Sequence, residues 1–353
     1  MSARILAATT VSEVLQNSDL SQPEIRALAV ARISEIQDAQ HEAAFEKAAR
    51  LGIPTRVEGP GRKVSILYDF RGDTPLYRST SNVNAAISTG ANVLRDQGAP
   101  YGLDGTGMKV AVWDEAKIRN THQEFPNSRV TIKDSAAAFS DHSTHVGGTI
   151  GANGTDSKAK GMAPKVAIDS YDWTSDYTEM TAVGAATAID AGKIPISNHS
   201  YGAGFNTAAE YVPWMGRYEA EANTTDALAA SLPYYQIFWA AGNEQDYLLD
   251  KGGYQSITFN GLAKNIITIA AANDAVTSGA RNPAVGTLAY FSSEGPCDDG
   301  RIKPDLTANG VNLYSSVAFV PPGTSKTDSD TSYDGTYSGT SMATPNAVGS
   351  SIL

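Results

Sequence analysis

The chain has 353 residues, of which 41% are hydrophobic and 18% charged, and this composition supports a large buried core rather than global disorder. Its formal net charge of −11 at pH 7 argues against a nucleic-acid partner, because phosphate backbones are bound by basic surfaces. No apolar run approaches the roughly 20 residues that a membrane-spanning helix needs.

The first predicted element is an amphipathic helix over residues 21–50. Apolar side chains between Ile25 and Ile36 recur at helical spacing, and Gly52 ends the helix. A strand is predicted next, over residues 63–70. The sequence opens without the charged and apolar regions of a secretory signal, so none is visible.

Beyond a turn-rich joint at residues 103–107, short apolar segments alternate with helical ones. This alternation predicts an α/β domain over residues 103–353, with a mainly parallel sheet and helices on both faces. A small helix-plus-strand segment over residues 1–102 precedes it. The predicted strands of the domain are 110–113, 166–168, 237–240 and 266–269, and its predicted helices include 180–191 and 224–232.

Polar residues follow two of these strands. Asp114 comes directly after the first, and Asn243 comes shortly after the strand that contains Trp239. Ligands of parallel sheets bind beyond the carboxyl ends of the strands, so both positions are candidates for a site. Each is a weak signal alone, because Asp and Asn are also common turn residues.

Four short segments carry chemistry when they are taken together. They are VAVWD at 110–114, DHSTHVGGT at 141–149, AAGN at 240–243 and SGTSMATP at 338–345. These segments, in this order, resemble the subtilase family of serine peptidases. Similar segments at 161–164, 198–202 and 291–305 extend the resemblance, which covers the chain from about Gly105 onward.

The resemblance implies a serine endopeptidase with Asp114, His142 and Ser341 as its catalytic triad. A serine hydroxyl needs a base to become a nucleophile, and imidazole can accept its proton and return it to the leaving amine. Asp114 would orient His142 and stabilise its charged form. The backbone N–H of Ser341, at the start of a helix, and the side-chain amide of Asn243 would stabilise the oxyanion.

The resemblance also indicates how a polypeptide substrate is bound. The segment Ser200, Tyr201 and Gly202 resembles the edge on which subtilases pair an extended substrate as an added strand. Gly242 permits close approach of the backbone to this substrate. Residues 204–223 look like an insertion near this edge, either a packed surface subdomain or a specificity element.

Further properties of the family are expectations for this chain. No cofactor is required for the chemistry, and structural calcium could be bound by Asp298–Asp299 or Asp328–Asp330. Residues 1–102 would be either a propeptide that blocks the cleft in cis or a permanent cap. The family resemblance implies an extracellular or periplasmic location. Twelve residues follow Ser341, and a domain truncated at its C-terminal end is expected.

Several departures and alternatives accompany this interpretation. Glu115 stands where the family has Thr or Ser, and its charge is expected to raise the pKa of His142. Ser143 replaces a usual glycine. The pair His142 and His145 could suggest a metal site, but it lacks the glutamate of the helical zinc motif. His145 is expected to be a residue that packs its helix against the core.

Two alternative functions are considered. The first is a catalytically weak subtilase-like binding module, and the second is a lipase or esterase, although the Gly-x-Ser-x-Gly motif of the latter is missing.

Overall fold

A computed structural model describes residues 2–9, 13–14, 17, 23–58, 64–71, 74–79, 82–134, 138–186, 193–202, 208–320 and 327–353. The chain forms two compact units, which are described separately. The first comprises Met1–Thr80 and Leu248–Gly253, and the second comprises Ser81–Tyr247 and Tyr254–Leu353. Within the described residues, no helix has the length and apolar character needed to cross a membrane.

The first unit combines helices with a small antiparallel sheet. Helices α1 (Ser2–Ala7) and α2 (Pro23–Leu51) contribute Ile5 and Ile36 to a small core, which also contains Ala8 and Val14. The predicted helix 21–50 is confirmed as α2, although its first predicted residues lie outside the described part. The predicted strand 63–70 is one of three, in the order β1 (Arg56–Glu58), β2 (Val64–Arg71) and β3 (Thr74–Ser79).

The second unit begins with two helices that the sequence did not predict. Residues 81–102 therefore pack as part of this unit, whereas the functional division at residue 102 stays a prediction. Its helices are α3 (Asn82–Thr89), α4 (Ala91–Asp96), α5 (Asp141–Gly151), α6 (Asp176–Val183), α7 (Ala208–Tyr211), α8 (Ala220–Ser231) and α9 (Thr340–Ile352). Its strands are β4 (Lys109–Asp114), β5 (Val130–Ile132), β6 (Ala167–Asp172), β7 (Ile196–His199), β8 (Gln236–Ala240), β9 (Ile267–Ala272), β10 (Val276–Thr277), β11 (Ala280–Arg281), β12 (Leu306–Asn309), β13 (Leu313–Ser316) and β14 (Tyr333–Tyr337).

A seven-stranded parallel sheet organises this unit, in the order β12-β9-β8-β7-β4-β6-β5. Both faces are buried, because alternate residues of β4 enter different cores. Val110 and Val112 join a core that includes residues of α5 and α9, whereas Ala111 and Trp113 join a core that includes residues of α6 and α8. The predicted α/β fold, with a mainly parallel sheet and helices on both faces, is confirmed.

One predicted helix is shorter than the sequence suggested. The helix predicted over 180–191 ends at Val183, as α6, and residues 187–192 lie outside the described part. Gly184 has an extended backbone, and a Cβ there would lie 2.6 Å from Cδ1 of Leu232. The chain leaves the helix here because Val183 and Ala185 exchange backbone hydrogen bonds with Ile194, a pairing that the apolar pattern could not reveal.

The close approach of α9 to α5 depends on Gly349. A Cβ at this position would lie 2.7 Å from Cβ of Met162 and 3.1 Å from the carbonyl oxygen of Ile150 in α5. We expect Gly349→Ala to lower the free energy of unfolding by about 1–3 kcal/mol, because the overpacking outweighs the better helix propensity of alanine. Chemical unfolding measures this loss. Ser351→Ala, on an exposed position of the same helix, should stay within about 0.5 kcal/mol, and equal effects of both variants would contradict the packing argument.

Candidate active site

The end of β4 and the start of α5 bring Asp114 and His142 together. Ser140 caps α5 by accepting the backbone N–H of Ser143, so His142 lies in the first turn of the helix. Nδ1 of His142 is 2.7 Å from Oδ1 of Asp114, whose side chain is 1% exposed. The pair predicted from two distant motifs is thus a direct contact at the carboxyl end of the sheet.

Three donors converge on Oδ1 of Asp114. Besides His142, this oxygen accepts hydrogen bonds from Oγ of Ser143 at 3.0 Å and from the backbone N–H of Glu115 at 2.8 Å. The serine that replaces the family's glycine therefore has a defined role, since its hydroxyl helps to fix the carboxylate. A carboxylate held by three donors in this way has a fixed position, and it gives His142 a fixed orientation.

Two carboxylates act on the pKa of His142. Burial lowers this pKa, but the charge of Asp114, its hydrogen bond and the charge of Glu115 raise it more, so the pKa lies above the ordinary 6.5. Glu115 itself accepts a hydrogen bond from Oγ of Ser140, the residue that caps α5. The effect that the sequence suggested for Glu115 thus has a structural basis.

The charge of Glu115 leads to a pH prediction. Only neutral His142 can act as a base, so activity should fall as pH drops through its pKa. We expect Glu115→Gln to move this acid limb to lower pH, because a charge that raises the pKa is removed while a hydrogen-bond acceptor remains. The pH profile of kcat/KM measures the shift. Glu219→Gln, at a surface ion pair with Arg217, should leave the limb in place. An unmoved limb in Glu115→Gln would refute the coupling.

Ser341 and Ser200 hold each other through reciprocal hydrogen bonds. Oγ of Ser341 donates to the backbone carbonyl of Ser200 at 3.0 Å, and Oγ of Ser200 donates to the backbone carbonyl of Ser341 at 2.9 Å. The second bond is possible because Pro345 has no N–H to donate to Ser341, four residues earlier in α9. Among the described residues, the Ser341 hydroxyl makes its hydrogen bond to Ser200 and none to His142.

Asn243 is held against the first residue of the nucleophile helix. Its Oδ1 accepts the backbone N–H of Thr340 at 2.8 Å and the Thr340 hydroxyl at 3.1 Å. This fixes the orientation of the amide and leaves Nδ2 without a partner in the described part of the chain. The N–H of Ser341, in the first turn of α9, also lacks an intrahelical acceptor. The structure thus places two candidate oxyanion donors around the start of α9.

Gly242 cannot readily be replaced. Its φ is 108°, and a Cβ would lie 2.6 Å from Oε2 of Glu244 and 2.9 Å from Oγ of Ser293. The carboxylate of Glu244 accepts the backbone N–H of Asn243 at 2.7 Å. Glycine is therefore needed for the chain to turn from β8 toward Asn243.

The candidate substrate edge, Ser200–Gly202, follows β7 directly. Its central carbonyl, that of Tyr201, accepts the indole N–H of Trp239 at 2.7 Å, and the Tyr201 hydroxyl donates to Asp176 at 2.8 Å. Gly202 is exposed, and none of the described residues would lie within 4 Å of a Cβ there. The edge is thus anchored at Tyr201 and open beside Gly202.

An aromatic ladder beneath this edge was missed from the sequence. We give this name to the stacked rings of Tyr171, Trp113, His199 and Trp239, with centroids 4.5, 5.2 and 4.5 Å apart. They lie side by side because parallel register aligns these residues on β6, β4, β7 and β8. Burial lowers the pKa of His199 to about 3, so its ring is neutral in the stack. Strand register is not visible in the sequence, and the ladder could not be read from it.

Two other predicted features have clear positions. His145 is buried, its ring stacks on Tyr337 at 4.6 Å, and burial lowers its pKa to about 4, which agrees with a packing role. The acidic pairs proposed for calcium are engaged in the protein: Asp328 and Asp330 pair with Arg119, Asp299 pairs with Arg301, and Asp298 accepts from Gln255. Within the described ranges, no group of three or more His, Cys, Asp or Glu side chains could hold a metal ion. Calcium binding thus stays a prediction without support from these carboxylates.

Two curated proteins are similar to part of this chain. The "Serine protease AprX" of Bacillus subtilis is 38% identical over 101 residues, which are 28% of this chain and 22% of that protein. The "Uncharacterized protein aq_aa18" of Aquifex aeolicus is 34% identical over 98 residues, 27% of this chain and 43% of that protein. These matches thus span less than half the length of either curated relative.

A solved structure and a family model extend the comparison to most of the chain. The structure of the Clostridium perfringens CspB protease is 16% identical, covers 74% of this chain and 86% of its own, and superposes with a TM-score of 0.53, which shows a shared fold. The model "Subtilase family" matches residues 83–352, three quarters of the sequence. This chain belongs to the subtilase family.

Proposed function

We propose that this protein is a serine endopeptidase that hydrolyses peptide bonds through Asp114, His142 and Ser341, with Asn243 as an oxyanion donor. The observation that carries the proposal is the 2.7 Å contact of His142 with Asp114 at the same edge of the sheet as Asn243 and the start of α9. A base with its orienting acid, a hydroxyl and two N–H donors that no described residue engages are the components of acyl transfer.

In this mechanism the substrate edge also prepares the nucleophile. An extended substrate that donates a backbone N–H to the carbonyl of Ser200 competes with the Ser341 hydroxyl for that acceptor. The released hydroxyl transfers its proton to His142 and attacks the scissile carbonyl. The oxyanion that forms accepts hydrogen bonds from Asn243 and from the backbone N–H of Ser341. Protonated His142 then donates to the leaving amine as the C–N bond breaks, which leaves an ester on Ser341. A water molecule that gives a proton to His142 attacks this ester, and the proton returns to the Ser341 oxygen as the acid product leaves.

Cleavage within a chain is supported by two cavities beside the site. One, of about 260 Å³, includes Tyr201 and Gly202 of the substrate edge, and the other, of about 410 Å³, includes Asn243 and Ser338. Space beside both the edge and the oxyanion donor favours a substrate that continues past the scissile bond. A binding module without activity is less well supported, because binding alone needs neither the pair His142–Asp114 nor a directed amide at Asn243.

Labelling with a fluorophosphonate tests this function. We expect the full chain to be modified at a single serine, which peptide mapping assigns to Ser341, with parallel loss of casein hydrolysis. Heat-unfolded protein serves as the control and should not react. Hydrolysis that continues after complete labelling, or labelling at another serine, would overturn the assignment.

The amide of Asn243 should act on the transition state rather than on substrate binding. We expect Asn243→Ala to lower kcat by about 10²–10³ with little change in KM, the cost of one lost oxyanion donor. Steady-state kinetics on a peptide amide separate the two constants. Because Oδ1 of Asn243 also accepts from Thr340, Asn243→Asp is the matched control: it keeps this acceptor and removes the donor. An effect on KM alone would make Asn243 a binding residue.

Three further expectations accompany the proposal. The inhibitory role of residues 1–102 in cis, the extracellular or periplasmic location and structural calcium all stay predictions. The chemistry proposed above draws only on side chains and backbone groups of this protein.

A further inference from the structure

The smaller of the two cavities beside the site is lined by aromatic and acidic side chains, most of which have no role in the proposed chemistry. The Trp173 pocket, as we call it, has a volume of about 260 Å³. Its lining residues are Trp173, Tyr201, Gly202, Glu221, Phe259 and Asn260. Three of these six are aromatic and one is acidic, and none is cationic.

The aromatic walls are held in place. Trp173 is 44% exposed, and its ring lies 5.5 Å from that of Tyr201 at an interplanar angle of 53°. Tyr201 is fixed by Trp239 and Asp176, while Phe259 stacks on Trp214 at 6.1 Å. Two tilted ring faces that do not need to reorganise offer a preformed site for a cation or an apolar chain.

The polar groups of the pocket select between these two ligands. Glu221 is exposed, and in the described part of the chain its carboxylate has no ion pair, whereas nearby Glu219 is paired with Arg217 at 2.8 Å. Nδ2 of Asn260 donates to Tyr177 and Thr225, which leaves Oδ1 of Asn260 as an acceptor. The pocket therefore presents acceptors and negative charge.

The surroundings of the pocket reinforce this charge. Asp172 directly precedes Trp173 in the chain, and burial together with the charges of Asp134, Asp172 and Asp176 raises the pKa of Glu179. Asp176 also accepts the hydroxyl of Tyr201, a wall of the pocket. A field of one sign in a concave site attracts the opposite charge.

The substrate edge fixes which part of a substrate reaches the pocket. The carbonyl of Ser200 contacts the nucleophile, and Gly202 lies two residues further along the same edge. Side chains of an extended peptide alternate with a period of two residues. A substrate that pairs antiparallel with this edge, with the residue before the scissile bond at Ser200, brings its third residue N-terminal to that bond opposite Gly202 and its fourth just beyond it.

We propose that the Trp173 pocket binds a lysine or arginine side chain of the substrate, three or four residues N-terminal to the scissile bond. The ammonium or guanidinium group lies against Trp173 and Tyr201 and pairs with Glu221. This inference names a substrate class for the peptidase and rests on the proposed function.

The test uses peptides that the full chain cleaves at one mapped bond. Members of each pair are identical except for lysine or norleucine, which have similar length but different charge, at the second to fifth residues before that bond. We expect lysine at the third or fourth residue to raise kcat/KM about three- to tenfold over norleucine.

Two variants test the role of the acidic side chain. Glu221→Gln should remove most of the advantage of lysine and leave the cleavage of norleucine peptides unchanged. Glu219→Gln, the same change two residues away at an existing ion pair, should keep this advantage. Salt at 0.5 M should also reduce the advantage, because the site is open to solvent.

Equal or better cleavage of norleucine peptides would overturn the inference, and so would equal effects of Glu221→Gln and Glu219→Gln. A binding measurement separates this failure from failure of the proposed function. The Ser341→Ala chain is titrated with the same peptides carrying a fluorescent label. Tighter binding of lysine peptides supports the pocket even if no peptide is cleaved, and equal binding overturns it. If the chain neither cleaves peptides nor reacts with the fluorophosphonate, the proposed peptidase activity is contradicted, whereas the pocket is judged by the binding measurement.

Discussion

Ser341→Ala is expected to reduce kcat for peptide hydrolysis by about 10⁶-fold, because no other group can form the acyl intermediate. The residual rate above that of water would come from the oxyanion donors and from substrate binding. The fold should persist, since among the described residues the Ser341 hydroxyl donates a single hydrogen bond, to the carbonyl of Ser200, and the helix keeps its other contacts. Active-site titration and steady-state kinetics on a peptide amide measure the loss.

The matched control for this variant is Ser350→Ala in the same helix. Ser350 donates within α9, to the carbonyl of Asn346 at 2.8 Å, and it should retain activity close to that of the unmodified chain. Circular dichroism and the unfolding midpoint establish that both variants are folded. Turnover by folded Ser341→Ala within tenfold of the unmodified chain would remove Ser341 from the mechanism.

The sequence predicted the parts of this protein that short motifs and apolar runs encode. Asp114, His142, Asn243 and Ser341 were each named from a motif, and the parallel sheet followed from buried runs such as 237–240. The apolar runs predicted that the sheet would be covered on both faces, and β4 shows this directly.

The features that the sequence did not predict depend on register and on close packing. The aromatic ladder needs His199 and Trp239 to be aligned on neighbouring strands, which only the three-dimensional pairing shows. The Ser341–Ser200 pair needs the carbonyl that Pro345 leaves free, although the proline itself was visible in the motif. The helix before Gly184 ends because the chain there pairs with Ile194, and Leu232, distant in sequence, leaves no room for a side chain at Gly184.

The loss expected for Asp114→Asn is the next largest, about 10³–10⁴-fold in kcat. All three donors around Asp114 point at Oδ1, and the buried Oδ2 has no hydrogen-bond partner within the described residues. Asparagine can keep its carbonyl oxygen toward the three donors, so the position of His142 should be preserved. The amide nitrogen then occupies the site of Oδ2, where its N–H groups are unsatisfied, at a cost of about 1–3 kcal/mol in stability.

The activity lost in Asp114→Asn thus measures mainly the charge, because a neutral amide stabilises the imidazolium of His142 less than a carboxylate does. The charge and hydrogen bond of Asp114 raise the pKa of His142, so the acid limb of kcat/KM should also move to lower pH. Ser143→Ala is the matched control: it removes one neutral donor from Oδ1 and leaves the charge in place, and it should cost less than about tenfold. If Asp114→Asn kept more than a tenth of the activity, or if both variants lost the same amount, the carboxylate would not be the electrostatic partner of His142.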